Sequence, residues 1–296
     1  MPTGRNSVFA GVSRERPVLI AGPTASGKSA LAMELAARDG RVIVNADALQ
    51  VHADWRILTA RPSVADEAAL PHALYGHVVR DAGYSVGHWL REVEPILRGP
   101  QGVVIVGGTG LHFTALVQGL ARVPAIPASV RAQADALRQS GGIEAMLGGL
   151  DRATAARIDR ANPARVQRAW EVLRATGRGL AEWQNDSAPP LLPLAEAEAI
   201  LVAPDRDWLA ARIDARFDAM LAAGAIDEVR AVLPHWQPAA PWARAIGARE
   251  LVACLHGEMS LDAAADAAKA ASRQYAKRQR TWFRGRMAGW RALVPG

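Results

Sequence analysis

The stretch Gly22-Pro23-Thr24-Ala25-Ser26-Gly27-Lys28-Ser29 has the G-x-x-x-x-G-K-[ST] spacing of a phosphate-binding loop. Gly22 and Gly27 tolerate backbone conformations that other residues resist, so main-chain amides can converge on an anion. Lys28 supplies a point charge for the outer phosphate, and Ser29 a hydroxyl for Mg²⁺. Asp47 lies just past the apolar run Val42 to Ala46. A carboxylate there suits proton transfer or Mg²⁺ ligation, and equally the N-cap of a helix. A second glycine-rich turn, Gly107-Gly108-Thr109-Gly110, follows the run Val103 to Val106 and brings Thr109 to the same kind of position. Near the C-terminus Arg273, Lys277, Arg280 and Arg284 fall on one helix face, with Tyr275, Trp282 and Phe283 interleaved. Cations among aromatics suit a phosphate backbone or a pyrophosphate; the same pattern also forms plain solvated faces.

These residues need a frame that gathers strand ends. Short apolar runs at Pro17 to Ala21, Val42 to Ala46, Val103 to Val106 and Ile200 to Ala203 read as buried parallel strands, with helical patterns between them. The expected fold is α/β, a P-loop NTPase-like core whose parallel sheet is flanked by helices. Ligands then bind beyond the carboxyl ends of the strands. The third run does not end in the Asp of a Walker B strand, which speaks against a plain ATPase or GTPase. From Pro124 to Pro190 strand patterns vanish and arginine-rich helical patterns replace them. The expected domains are a catalytic core at 1–123 and 195–296 and an all-helical insertion at 124–194.

Composition narrows the class. The chain has 296 residues, half of them hydrophobic, enough for a large core. No apolar run approaches the ~20 residues of a membrane span, and Met1 to Arg16 lacks the apolar centre of a signal peptide. The single cysteine, Cys254, excludes an internal disulfide and sits in an apolar run that reads as core. A reducing cytoplasm and no membrane partner are expected. The net charge is +6, and two of only three lysines, Lys269 and Lys277, fall in the basic C-terminal stretch. That clustering is the footprint a polyanionic partner requires.

Taken in order, the phosphate loop, Val44-Asn45-Ala46-Asp47-Ala48-Leu49-Gln50-Val51, Thr59-Ala60-Arg61-Pro62, Gly107-Gly108-Thr109-Gly110-Leu111, Asn162-Pro163-Ala164-Arg165-Val166 and the stretch from Arg273 to Arg284 resemble the bacterial tRNA dimethylallyltransferases along nearly the whole chain. The resemblance implies transfer of a dimethylallyl group from dimethylallyl diphosphate to N6 of the adenosine 3′-adjacent to the anticodon, with Mg²⁺ assisting. The phosphate loop, Gly22 to Ser29, would hold the prenyl diphosphate, Asp47 would take the amine proton, and Ser29 and Asp47 would hold the metal. Thr24 and Thr109 match positions lining the substrate channel, into which the target base is flipped. The helical insertion would grip the anticodon stem-loop through Arg131, Ala164, Arg165, Val166, Gln167 and Arg168. Further RNA-facing positions are Ala48, Leu49 and Gln50 beside Asp47, then Arg244, Ala245, Ile246, Gly247, Ala248 and Arg249. Lys277, Arg278, Gln279, Arg280, Thr281, Trp282, Phe283 and Arg284 complete them. A monomer is expected.

The chain departs from the family pattern at Ala48, where Ser is usual, at His52 and His112, where Tyr is usual, and at Leu58, where Gly is usual. Three other readings share some of these residues. A nucleotide-type kinase uses the loop and Asp47 but leaves the insertion and the basic stripe unexplained. A prenyltransferase acting on free AMP has a similar fold. A non-catalytic RNA-binding protein switched by ATP or GTP leaves Asp47 without a task.

Overall fold

The computed structural model describes residues 11–80 and 82–295. Residues 1–10 of the polar N-terminal stretch lie outside them. The first described strand, β1 (Val18–Ala21), runs into the phosphate loop, α1 (Lys28–Asp39) and β2 (Val42–Asn45). Then come α2 (Val64–Ala69), β3 (His72–Ala73), α3 (Val86–Leu97), β4 (Val103–Gly107) and α4 (Gly110–Gln118). Four helices follow without a strand: α5 (Ala128–Gly148), α6 (Arg152–Arg157), α7 (Pro163–Thr176) and α8 (Leu180–Asn185). The chain returns through β5 (Glu198–Val202), α9 (Arg206–Ala222), α10 (Ala225–Val232), α11 (Ala248–Leu255), α12 (Leu261–Arg286) and β6 (Arg291–Leu293).

The strands form one parallel sheet in the order β3-β2-β4-β1-β5-β6. Alternation of side chains across each strand builds two cores. Val18 and Ile20 pack with Val104, Val106 and Ile43 against Ala32, Leu35 and Ala36 of α1. Leu19 and Ala21 face the other way, with Val44 and Ile105, toward Trp89 of α3, Phe113 of α4 and Phe283 of α12. Burial on both faces explains why these strands read as unbroken apolar runs. This is the P-loop NTPase-like arrangement, and its register sets the site. Asn45 is level with Val106, and Ala21 with Gly107, so β1, β4 and β2 end side by side.

Two strands were not legible in the sequence: β3 has two residues, and β6 lies at an exposed edge with no apolar run. Helices α2, α8 and α10 are six to eight residues long and also escape a periodicity reading.

The chain folds as two compact units. One runs up to Val117 and resumes at Leu191; the other is Gln118–Pro190. In the second unit α5 bends at Gly142 (φ 65°). Ala134 and Met146 of α5 then bury against Val166 of α7.

Candidate active site at the strand ends

The phosphate loop takes its shape from a few demanding positions. Gly27 caps α1 in the left-handed region at φ 89°, where a side chain is strained. A Cβ on Gly22 would come within 2.8 Å of Ser26 Oγ and 3.1 Å of Val202, so the first glycine is required by close approach. Ala25 holds a positive φ of 61°, and its carbonyl accepts from Arg212 Nε at 3.2 Å. Ser26 Oγ is buried without a hydrogen-bond partner among the described residues. Lys28 Nζ donates back to Pro23 O at 3.2 Å. Burial drives the Lys28 ammonium down to about 8, against the pull of Asp47 and with the push of Arg216.

Asp47 is held by local bonds. Its N–H donates to Asn45 Oδ1 at 2.8 Å, and its Oδ1 accepts from Leu49 N at 2.9 Å. The first turn after β2 thus consumes one carboxylate oxygen and leaves Oδ2. The glycine-rich turn closes over it. A Cβ on Gly108 would lie 3.1 Å from Asp47 Oδ2 and 2.3 Å from Gln279 Nε2, and one on Gly107 would overlap the Ala46 carbonyl group. Thr109 Oγ1 accepts from Ala48 N at 2.9 Å, which ties this turn to the turn that carries Asp47. Ala48 therefore takes part through its backbone amide, which the missing hydroxyl leaves untouched.

Gln279 of α12 joins the two loops. Its Oε1 accepts from Thr24 N at 2.9 Å, and its Nε2 donates to Gly108 O at 2.9 Å. The Tyr275 hydroxyl hydrogen-bonds Thr109 and Gln279, and burial raises its pKa well above the phenol range, so it stays neutral. Trp282 approaches Gly110, where a Cβ would overlap its indole. Thr24, Lys28, Asp47 and Thr109, expected together, meet at one sheet edge. Gln279, expected only to face RNA, is buried and bridges the loops.

Three residues here were missed in the sequence. Arg212 and Arg216 stand one turn apart on α9, and Arg216 feels both Asp47 and Lys28 electrostatically. The Trp208 to Ala222 helix reads as ordinary amphipathic sequence, and an i, i+4 arginine pair was its only signal. Tyr75 follows β3, and burial together with Asp47 raises its pKa above the phenol range. Tyr75, Ser29, Met33 and Gln50 line a cavity of about 110 Å³.

The departures from the family pattern are accommodated by packing. His112 stacks on Trp89 at 4.6 Å with the rings nearly parallel. Burial lowers it to about 4, although a ring N–H bonds the Ala46 carbonyl, so it is neutral and apolar in effect. His52 is also buried, which lowers its pKa. Leu58 is buried beside Phe217.

The expected RNA-facing residues fall into three sets. Val166, Ala245, Gly247, Ala248 and Phe283 are buried, as is Gln279, and support the surface from beneath. Ala48, Arg131, Ala164, Arg165, Arg168, Arg244, Arg249, Lys277, Arg278, Thr281 and Arg284 are exposed. Leu49, Gln50, Gln167, Ile246, Arg280 and Trp282 are intermediate. Arg273, on the basic face, is spent on Asp214 of α9. In the helical unit Gln167 donates to Asp135 Oδ1 at 2.8 Å and to Glu171 Oε1 at 3.1 Å.

Among the described residues no three His, Cys, Asp or Glu side chains cluster to hold a metal ion. Ser29 and Asp47 alone are a sparse oxygen set, which fits Mg²⁺, an ion that keeps waters and takes phosphate oxygens as ligands.

Comparison with known proteins agrees with this geometry. An IPP transferase family model matches residues 50–286, and an isopentenyl transferase model matches residues 16–70. The tRNA dimethylallyltransferase of Cereibacter sphaeroides (strain ATCC 17025) is 66% identical over 94% of this chain and 96% of its own length. That of Dinoroseobacter shibae is 64% identical over 96% and 97%. The crystal structure of full-length tRNA isopentenylpyrophosphate transferase from Bacillus halodurans aligns with a TM-score of 0.66 at 30% identity, covering 95% of this chain and 90% of that one. A eukaryotic dimethylallyltransferase acting on tRNA shares the fold, with a TM-score of 0.80 at 24% identity over 95% of this chain and 74% of its own. With a phosphate loop, a carboxylate and a glycine-rich turn assembled at one sheet edge, and matches of this extent, the chain belongs to the tRNA dimethylallyltransferase family.

Proposed function

We propose that this chain transfers a dimethylallyl group from dimethylallyl diphosphate to N6 of the adenosine 3′-adjacent to the anticodon in tRNA, releasing diphosphate. The observation that carries the reading is the Gln279 bridge. Its bonds to Thr24 N and Gly108 O support reading the anion-binding loop and the turn that lies against Asp47 Oδ2 as one site.

Lys28, Arg212 and Arg216 hold the diphosphate, with the loop amides around it. The allylic C–O bond breaks and its electron pair leaves on the diphosphate, where these groups stabilise the growing negative charge. N6 of adenine forms the new bond to the allylic carbon, and its proton passes to Asp47 Oδ2. Thr109 and Asn45 keep the Asp47 turn in place. Mg²⁺, held by the Ser29 hydroxyl with Asp47 nearby, would supply further charge neutralisation to the diphosphate. Neutral Tyr275 adds no competing charge.

In this reading the helical unit grips the anticodon stem-loop through Arg131, Arg165, Gln167 and Arg168. The segments Asp47 to Gln50, Arg244 to Arg249 and Lys277 to Arg284 meet the RNA from the other unit. The chain acts as a monomer in the cytoplasm. Among the described residues no helix is long and apolar enough to cross a membrane.

The test is incubation of the protein with unmodified tRNA, Mg²⁺ and dimethylallyl diphosphate, then mass spectrometry of the nucleosides. N6-(dimethylallyl)adenosine is expected. Tight tRNA binding without that product would overturn the reading, and efficient prenylation of free AMP would redirect it.

A further inference from the structure

The motif Thr59-Ala60-Arg61-Pro62 has no task in the chemistry above, yet the loop that carries it is tethered at several points beside the site. Three consecutive backbone amides before it converge on one carboxylate. Glu228 Oε1 accepts from Arg56 N at 2.6 Å and from Ile57 N at 2.8 Å, and Oε2 accepts from Leu58 N at 2.9 Å. Glu228 belongs to α10 and is half-buried. Such a nest of amides is an anion site, and here the chain supplies its own anion. The next residues are then committed. Ala60 sits at φ 48°, a conformation that alanine keeps only where its surroundings determine it. Leu58 is buried against Phe217 and lies 3.4 Å from the Cβ that Gly247 lacks.

What this loop holds is Gln50. Its Nε2 donates to Thr59 O at 2.8 Å and to Ala60 O at 2.9 Å. Both amide protons are used, so the amide cannot turn over, and Oε1 is left as the acceptor of a residue lining the cavity beside Ser29 and Tyr75. We propose that Glu228 is a positioning residue for the RNA substrate, acting through the Arg56–Ala60 loop to fix the Gln50 amide as a hydrogen-bond acceptor for a nucleobase. The inference rests on the RNA-prenylation reading. A carboxylate is required because all three partners are donors. A glutamine at 228 would set its own NH₂ against at least one of them.

The experiment measures steady-state prenylation of unmodified tRNA by wild type, E228Q, Q50A and E228Q/Q50A. Binding of inorganic diphosphate to each is followed by calorimetry. Absence of product with wild type would refute the prenylation reading itself. With product present, E228Q is expected to lower kcat/KM for tRNA about tenfold, the scale of a lost charged hydrogen bond. The loss should fall mainly in KM, with diphosphate affinity within about twofold of wild type. In the Q50A background E228Q should cost less than about threefold, because the residue it positions is gone. Equal costs in both backgrounds, or a parallel loss of diphosphate affinity, would overturn the proposal and leave Glu228 a general support of the fold. Should circular dichroism show E228Q unfolded, E228D keeps the charge, shortens the reach by one methylene and faces the same non-additivity criterion.

Discussion

At the scale of single residues, the proposed chemistry rests on two groups whose surroundings oppose their charge or occupy their lone pairs. Asp47 gives one oxygen to Leu49 N and keeps the other. Asp47→Asn preserves that cap and removes the proton acceptor, so turnover should fall by about 10²–10⁴-fold while tRNA affinity is retained. Single-turnover prenylation beside a filter-binding titration checks both, and unchanged turnover would remove Asp47 from its role. Lys28 is the second group. Its ammonium, lowered by burial to about 8, is charged below that pH and lost above it. Diphosphate affinity should therefore weaken as pH rises from 7 to 9, whereas Lys28→Arg, charged throughout, should show no such decline; calorimetry with inorganic diphosphate distinguishes them. The same shift acts on stability with the opposite sense. Between about 8 and the ordinary 10.5 the unfolded chain binds the extra proton, so this group's contribution to stability rises with pH across that window.

At the scale of elements, α12 is both a basic face and a brace. Its Gln279 satisfies the Thr24 amide and the Gly108 carbonyl, two backbone groups on different loops. Gln279→Ala leaves both without their partner in a buried place. The expected cost is about 2 kcal/mol of stability, measured by urea unfolding. Diphosphate binding and kcat should fall together, because the phosphate loop and the glycine-rich turn bonded to Ala48 beside Asp47 lose their common support. A variant that loses stability and keeps kcat would separate the brace from the chemistry. The basic pattern of this helix was legible from spacing, but Gln279 was not legible as a brace. A polar residue between cations looks solvated until the packing of Phe283 and Ala276 shows which side of the helix is inside.

At the scale of the molecule, charge is what the two units have in common. The net charge is +6, and exposed cations stand on both units, Arg131 and Arg165 on one, Lys277 and Arg284 on the other. Binding to tRNA should therefore weaken steeply with salt. Removing Lys277 and Arg284 together should lower the slope of log K against log salt by about 1.5. Binding titrations at several salt concentrations test this. An unaltered slope would mean that this face is merely solvated.

The sequence by itself determined the phosphate loop, the Asp47 turn, the glycine-rich turn and the change of texture near residue 124. Each is a local pattern whose residue types are forced by backbone geometry or by burial on both faces of a strand. The glycines show this directly: a Cβ would collide at Gly22 and Gly107, and the backbone at Gly27 is left-handed. Only the tertiary structure decided which distant residues complete the site. Arg216, Tyr75 and Glu228 lie far apart in the chain, on helices or beside a short strand, in stretches with unexceptional patterns, and Gln279 lies among cations that make it look solvated. Their roles arise from strand order. With β4 between β1 and β2, and α9, α10 and α12 returning after the insertion, partners up to 255 positions apart, such as Thr24 and Gln279, become hydrogen-bonded neighbours. No local periodicity encodes such a pairing, because what fixes it is the packing of whole elements.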